Sequence, residues 1–352
     1  MHKFINCAMA PLLSATALYA LYQLRAIRTR LETLLLQPGL VASPSRTYPP
    51  LCVLDKRTDG LDDGFVCVTS SHGHRNGTHL SNMRASDWVY DRIIVKITDD
   101  ASVRAALESM HVSKASCALV YQGDRLVGVL DTPDVLRHVL RASSSMAQSA
   151  ARLLRQYTVA SSSLTIEEVC SYMRTGTRHV VIQRESGGHQ LVSQRSLTRV
   201  VFDACFDDTQ MHTILSTTTA SSLPSFRRVI GVLSTATARN AFERMAAYGV
   251  TSLPIVDEAG TACGVISATD IFFARHDARS LDENVMKFVH LSRDDAEAEI
   301  RAECVVSCKP DDDMLVALRI MLHHKVHHVY VLDDQNKPVG IVSCIDILKL
   351  LD

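Results

Sequence analysis

Three stretches decide the fold: LVGVLDTPDVL (126–136), ACGVISATDIF (262–272) and PVGIVSCIDIL (338–348). Each is a short β-branched run that contains a glycine, followed by a residue able to cap a helix. Three positions after the cap stands an aspartate: Asp134, Asp270 and Asp346. That order reads as a strand ending where a helix begins.

Working outward, the same elements return upstream of each stretch. In the first copy Asp99-Asp100 lead into a helix over 101–110, then a strand CALVY (117–121) and a turn at Gly123-Asp124. In the third, Ala238–Tyr248 is a helix stopped by Gly249, SLPIV (252–256) a strand and 257–260 a turn. In the fourth, Asp311–Asp313 start a helix at its favourable end and 314–324 continue it; VYVL (329–332) is the strand and DDQNK the turn. A degenerate copy lies between, with helix 166–173, strand HVVIQ (179–183), turn ESGGH, strand QLVS (190–193) and helix 197–205. The repeating unit is α-β-β-α, present four times, which places the chain in the α/β (α+β) class. The boundaries read 89–145 for repeat 1, 146–210 for the degenerate repeat 2, 225–280 for repeat 3 and 281–352 for repeat 4.

A chain of 352 residues, 47% of them hydrophobic, has enough apolar content for two domains of ordinary size. Its 37 Lys+Arg against 38 Asp+Glu leave a net charge of −1, so it has no general attraction for nucleic-acid phosphates. The ten cysteines form no CxxC pair and several sit in apolar runs, as small buried hydrophobes of a reducing compartment do.

Residues 4–24 carry no charge and as a helix would run about 30 Å, the thickness of a bilayer core. Residues 1–40 are therefore expected to form an N-terminal apolar helix and membrane anchor. Arg25, Arg28 and Arg30 follow the span, which puts the bulk of the chain on the cytoplasmic face. Competing readings are a cleaved signal peptide, an organelle-targeting segment and an amphipathic helix packed on a soluble protein. Residues 41–88, rich in Pro, Ser, Gly, Thr and Asp, read as a flexible tether. His72, His74 and His79 lie within it, but no Cys or carboxylate completes a metal-ligand spacing. No metal site is expected there or in HHKVHH (323–328), where the helix is expected to end near Lys325 and break the i, i+4 geometry.

The repeat and its GxxSxxD ending resemble the cystathionine β-synthase (CBS) domain, over about residues 89–352. The resemblance implies four CBS repeats paired into two stacked modules that bind adenosyl compounds between repeats. Four repeats with no catalytic domain are most similar to the gamma subunits of AMP-activated protein kinase. The second copy has Ser196 where an aspartate would stand, an irregularity that those subunits share. The implied function is a non-catalytic adenine-nucleotide energy sensor binding AMP, ADP or ATP as regulatory ligands. Its implied partners are the catalytic and scaffold subunits of a heterotrimeric kinase. The alternatives are a regulatory module of a membrane transporter or channel, and a membrane-tethered interaction scaffold. No phosphate-binding loop, GxGxxG, HExxH or GxSxG motif points to an enzyme.

A ribose offers two neighbouring hydroxyls, and a single carboxylate can accept a hydrogen bond from each. Asp134, Asp270 and Asp346 are the candidates for that role, with Ser234, Thr235, Thr237, Ser267 and Ser343 as polar contacts to ribose or phosphate. Ser267-x-x-Asp270 and Ser343-x-x-Asp346 are also capping boxes, which need no ligand. The first copy departs from the pattern: Asp131 replaces the usual hydroxyl residue and Pro133 precedes Asp134, so an extra carboxylate would face the phosphates. For phosphate, the resemblance implies Lys114, Arg178, Arg195, His327 and His328, the last with a charge that depends on pH near neutrality.

Overall fold

The computed structural model describes residues 80, 83–85, 94–141, 146–154, 157–185, 187–224, 226, 229–275, 277–292 and 305–351. The expected anchor helix and His72, His74 and His79 lie outside them. Among the described residues no helix is long and apolar enough to cross a membrane.

Four copies of one unit follow in order. The first is β1 (Lys96–Thr98), α1 (Val103–Val112), β2 (Cys117–Gln122), β3 (Arg125–Asp131) and α2 (Thr132–Val139). The second is β4 (Thr158–Ser161), α3 (Ile166–Arg174), β5 (His179–Gln183), β6 (His189–Ser193) and α4 (Gln194–Ala204), after which α5 (Thr209–Thr217) leads on. The third is β7 (Val232–Leu233), α6 (Ala238–Tyr248), β8 (Ser252–Val256), β9 (Ala262–Ser267) and a 3₁₀ helix, Ala268–Arg275, with α7 (Val285–Ser292) beyond it. The fourth is β10 (Ser307–Cys308), α8 (Met314–His323), β11 (His328–Leu332), β12 (Pro338–Ser343) and α9 (Cys344–Lys349).

Each unit thus has a three-stranded sheet rather than the hairpin expected from sequence. The additional first strand runs parallel to the second, and the third runs antiparallel to it. These leading strands are two to four residues long, too short to carry a hydrophobic period of their own.

The helices form where the sequence supplies caps. Ser102, Thr165, Thr237 and Asp313 each cap the first helix of a repeat through a side-chain oxygen that accepts from the backbone N–H three residues on. In α6, Ala238, Ala241, Phe242 and Met245 are buried at helical spacing, and Gly249 ends the helix with φ 67°. Nothing lies within 4 Å of a Cβ added at Gly249, so the cost of a side chain there is conformational alone. Gly249→Ala is therefore expected to destabilise the protein by about 1–2 kcal/mol, read as a lower Tm.

The same four cap residues pair by isolated bridges with the connecting segments: Ser102 with Ser149, Thr165 with Arg84, Thr237 with Asn284 and Asp313 with Thr219. In each half of the chain the segment before the pair of repeats reaches the second repeat, and the segment inside the pair reaches the first. Repeats 1 and 2 are one module and repeats 3 and 4 another. Leu80 and Ala85 are buried against repeat 2, so part of the stretch read as a tether packs on the fold.

Within module 1 the sheets meet through Cys117, Leu119, Leu126, Val129 and Val181. Between modules the helices meet. One core joins repeats 1 and 3 through residues such as Leu107, Met110, Leu136, Phe242, Ile271 and Phe288, and a second joins repeats 2 and 4 through Val169, Leu197, Leu318 and Ile347. Every repeat therefore packs on two others, by its sheet within a module and by its helices across modules.

Candidate functional site

The three aspartates stand in the first turn after the third strand of their repeats, as expected. Asp346 Oδ2 accepts from the Ser343 N–H at 2.8 Å and from the Ser343 hydroxyl. Asp270 Oδ2 accepts from the Ser267 N–H at 2.7 Å and its hydroxyl at 3.0 Å. Ser343 and Asp346 form a capping box, Ser267 engages Asp270 through the same two donors, and in each repeat both bonds fall on one carboxylate oxygen. Asp134 differs: it is 8% exposed and ion-paired with Arg137 one turn on. In repeat 2 Ser196 closes the box instead, accepting from the Ser193 N–H at 2.8 Å, with no charge involved.

A glycine precedes each box in repeats 1, 3 and 4, and the strand register shifts beside it. Gly128 faces Val120, Gly264 faces Ile255 and Gly340 faces Val331, each next to an irregularity in the ladder. Repeat 2 has Gln190 opposite Ile182 at the equivalent position, in a ladder with no shift. Two of these glycines admit a linker side chain: a Cβ at Gly340 would lie 2.5 Å from Phe226 Cδ2, and one at Gly128 would lie 2.7 Å from Leu154 Cδ1.

The centre of each module is made by the first residue of each central strand. Cys117 pairs across its ladder with Asp131, His179 with Ser193, Ser252 with Ser267 and His328 with Ser343, so the four pairs are equivalent. In module 2 His328 Nε2 lies 2.6 Å from Ser252 Oγ, which also contacts the Tyr330 hydroxyl. Burial lowers the His328 pKa to about 4, so the ring is neutral at pH 7, contrary to the pH dependence near neutrality expected from sequence. In module 1 His179 Nδ1 lies 3.9 Å from Asp131 Oδ2. Burial opposes its charge and Arg178 does too, but Cys117 and Asp131 outweigh them and raise its pKa to about 9. Sequence reasoning missed His179, although aligning TRH (177–179) with VHH (326–328) places it opposite His328.

The opposite shifts give stability a defined window. His179 contributes stability that is complete below its ordinary value of about 6.5 and lost as pH rises through about 9. His328, held neutral, contributes stability that is complete above about 6.5 and lost as pH falls toward about 4. Melting temperature is expected to be highest near pH 6.5 and to fall both as pH rises toward about 9 and as it falls toward about 4. A Tm that rises from about pH 8 to 10 contradicts the His179 assignment.

The remaining candidates are dispersed. Arg195 donates to the Lys325 carbonyl at 2.6 Å and so ties repeat 2 to the turn before β11. Lys114 and Lys325 occupy the same place, after the first helix of their repeats, with φ 48° and 55°. Arg178 is half-buried beside His179, Lys114 is exposed, and His327 is exposed next to His328. The helix α8 ends at His323, so the i, i+4 histidine spacing is not realised. Thr237 is the cap of α6, the Ser234 carbonyl accepts from Asn284 Nδ2 at 2.7 Å, and Thr235 is exposed. Among the described residues no group of three or more His, Cys, Asp or Glu is placed to hold a metal. Burial raises the thiols of Cys170 and Cys308 to about 12 and of Cys205 and Cys344 to about 11, which keeps them protonated.

An open cleft of about 470 Å³ at the hairpin end of module 1 is lined by Lys96, Thr98, Tyr121, Asp124 and His189, none of them a sequence-predicted site residue.

Comparison with known proteins agrees with this fold. The CBS domain model matches residues 86–141, 223–277 and 298–352. Residues between these matches, 158–204, carry the same β-α-β-β-α order as repeat 2. The chain is 28% identical over 129 residues to 5'-AMP-activated protein kinase subunit gamma-3 of Sus scrofa, covering 36% of this chain and 24% of that subunit. It is 26% identical over 121 residues to inosine-5'-monophosphate dehydrogenase of Methanocaldococcus jannaschii, covering 34% of this chain and 21% of that enzyme. The aligned stretches thus span about a quarter or less of those relatives. A crystal structure from Methanocaldococcus jannaschii, described as a proposed archaeal homologue of g-AMPK, superposes with TM-score 0.60 and 17% identity over 75% of this chain and 98% of that one. At that identity the likeness is one of fold.

Proposed function

We propose that this chain, a CBS-domain protein of two paired modules, is a non-catalytic adenine-nucleotide sensor whose binding residues are Asp270 and Asp346. The observation that carries this reading is the matched pair of serine-held carboxylates in module 2. Each holds a carboxylate in the first turn after the third strand, anchored through one oxygen by its serine, and a carboxylate so fixed can accept from two neighbouring hydroxyls. The first and second repeats offer less, because Asp134 is paired with Arg137 and Ser196 carries no charge. Ser267 and Ser343 orient the carboxylates, and Arg178, Arg195, Lys114 and His327 remain the candidate donors toward phosphate, His328 being neutral and engaged by Ser252.

The finer reading is a gamma-like regulatory subunit of a heterotrimeric AMP-activated-type kinase. The similarity to the gamma-3 subunit over 129 residues supports it. Nucleotide exchange then acts by changing how the paired modules meet the other subunits, which requires AMP and ATP to differ in affinity for two arrangements. The uncharged run 4–24 supports a second reading, in which the modules are anchored at a membrane and regulate a transporter or serve as a scaffold there.

Titration calorimetry of the purified chain with AMP, ADP and ATP tests the first step: saturable binding is expected, and no heat from any of the three removes the sensor reading. Co-purification separates the finer readings, since kinase catalytic and scaffold subunits favour one and an integral transporter the other.

A further inference from the structure

We propose that Asp131 and His179 form an internal lock that closes module 1 to nucleotide phosphate, so that binding is confined to module 2. The inference rests on the nucleotide-sensor reading and deepens it by naming what makes the two modules unequal. The caps of the four second helices or turns are Asp131, Ser193, Ser267 and Ser343, and only repeat 1 places a carboxylate there. One oxygen of Asp131 accepts from the Thr132 N–H at 2.8 Å, which fixes the side chain at the helix start. The other faces His179 Nδ1 across the interface between repeats 1 and 2, at 3.9 Å, with the two side chains 17% and 12% exposed.

In module 2 the equivalent imidazole, His328, meets the Ser252 hydroxyl and the edge of the Tyr330 ring, Ser252 in turn contacts the Tyr330 hydroxyl, and Ser267 stands in the place of Asp131. A phosphate entering the centre of module 2 thus meets hydroxyls and neutral donors. A phosphate entering module 1 meets a fixed carboxylate whose charge is already matched by the imidazolium. Asp134, the ribose candidate of the same repeat, is likewise engaged by Arg137. The groups that face His179 are Cys117 and Asp131 of repeat 1 and the neighbouring Arg178, and of these Asp131 is the carboxylate.

The test uses the full chain and two readouts. In an Asp270→Ala/Asp346→Ala background, ATP binding is expected to be weak, and adding Asp131→Ser is expected to tighten it by about tenfold or more. The imidazole of His179, followed by NMR, is expected to titrate near pH 9 in the wild type and at least about one unit lower in Asp131→Ser. An unchanged His179 midpoint overturns the pair, and a lowered midpoint without tighter ATP binding overturns its role as the barrier. Wild-type protein that binds no nucleotide while the triple variant does would end the module 2 reading and leave the lock standing.

Discussion

Asp346→Ala and Asp270→Ala are each expected to weaken nucleotide binding by about 10- to 100-fold, the scale of a hydrogen-bonded charge removed from its partners. The same substitutions open a capping box, because Ser343 and Ser267 donate to those carboxylates. A lost cap costs about 1 kcal/mol and lowers the Tm without any ligand present. The asparagine variants separate the two effects. Asp346→Asn keeps an oxygen able to accept from the Ser343 N–H and hydroxyl, so its Tm should stay near that of the wild type. It loses the charge, so its affinity for AMP and ATP should fall nearly as far as in the alanine variant. Equal affinity of Asp346→Asn and wild type would leave the aspartate as a helix cap only. Asp134→Ala is expected to change nucleotide binding little, since Asp134 is engaged by Arg137.

Repetition is what made the fold legible. A single GxxSxxD ending is a capping box, but two of them and the variant GxxDxxD of the first copy, each preceded by helix, strand and turn, can be satisfied by one architecture only if the unit repeats. The edges of α6 and β8 were readable because Thr237 and Gly249 mark the helix and a polar turn follows the strand, whereas the pairing of repeats into modules came from the family resemblance alone. The leading strands were not readable, because Val232–Leu233 and Ser307–Cys308 gain their conformation from pairing with β8 and β11 rather than from their own residues. The third repeat's last element is a 3₁₀ helix where a regular helix was expected. At the site, the aspartates and their serines were legible because both lie within four residues of sequence. The module centres were not. Asp131 meets His179 across 48 positions of chain, and His328 meets Ser252 across 76, pairings that only the docking of two sheets creates. A histidine that looked available for phosphate is instead neutral and engaged, and one that attracted no attention carries the charge.

Phe242→Ala should be the most damaging single substitution in the fold, costing about 3–5 kcal/mol. Phe242 is fully buried and meets Phe288 edge to face at 5.6 Å, while Phe288 meets Phe273 at 5.5 Å. Its core is shared by repeats 1 and 3, so a cavity there removes contacts from both modules at once. For a folded body of this size the loss corresponds to a Tm lower by roughly 6–20 °C. Leu233→Ala supplies the comparison: Leu233 is 51% exposed, and its removal should stay within about 0.5 kcal/mol. Because the helices of repeat 1 pack on repeat 3 and those of repeat 2 on repeat 4, neither module owns a complete core. Unfolding should therefore be a single transition in both wild type and Phe242→Ala, with circular dichroism and the His179 resonance melting together. Two separated transitions would mean that the modules are independent bodies. A ligand held at Asp346 would then have no packed route by which to alter module 1, and a sensor that works by changing the relation of its two halves would lose its physical basis.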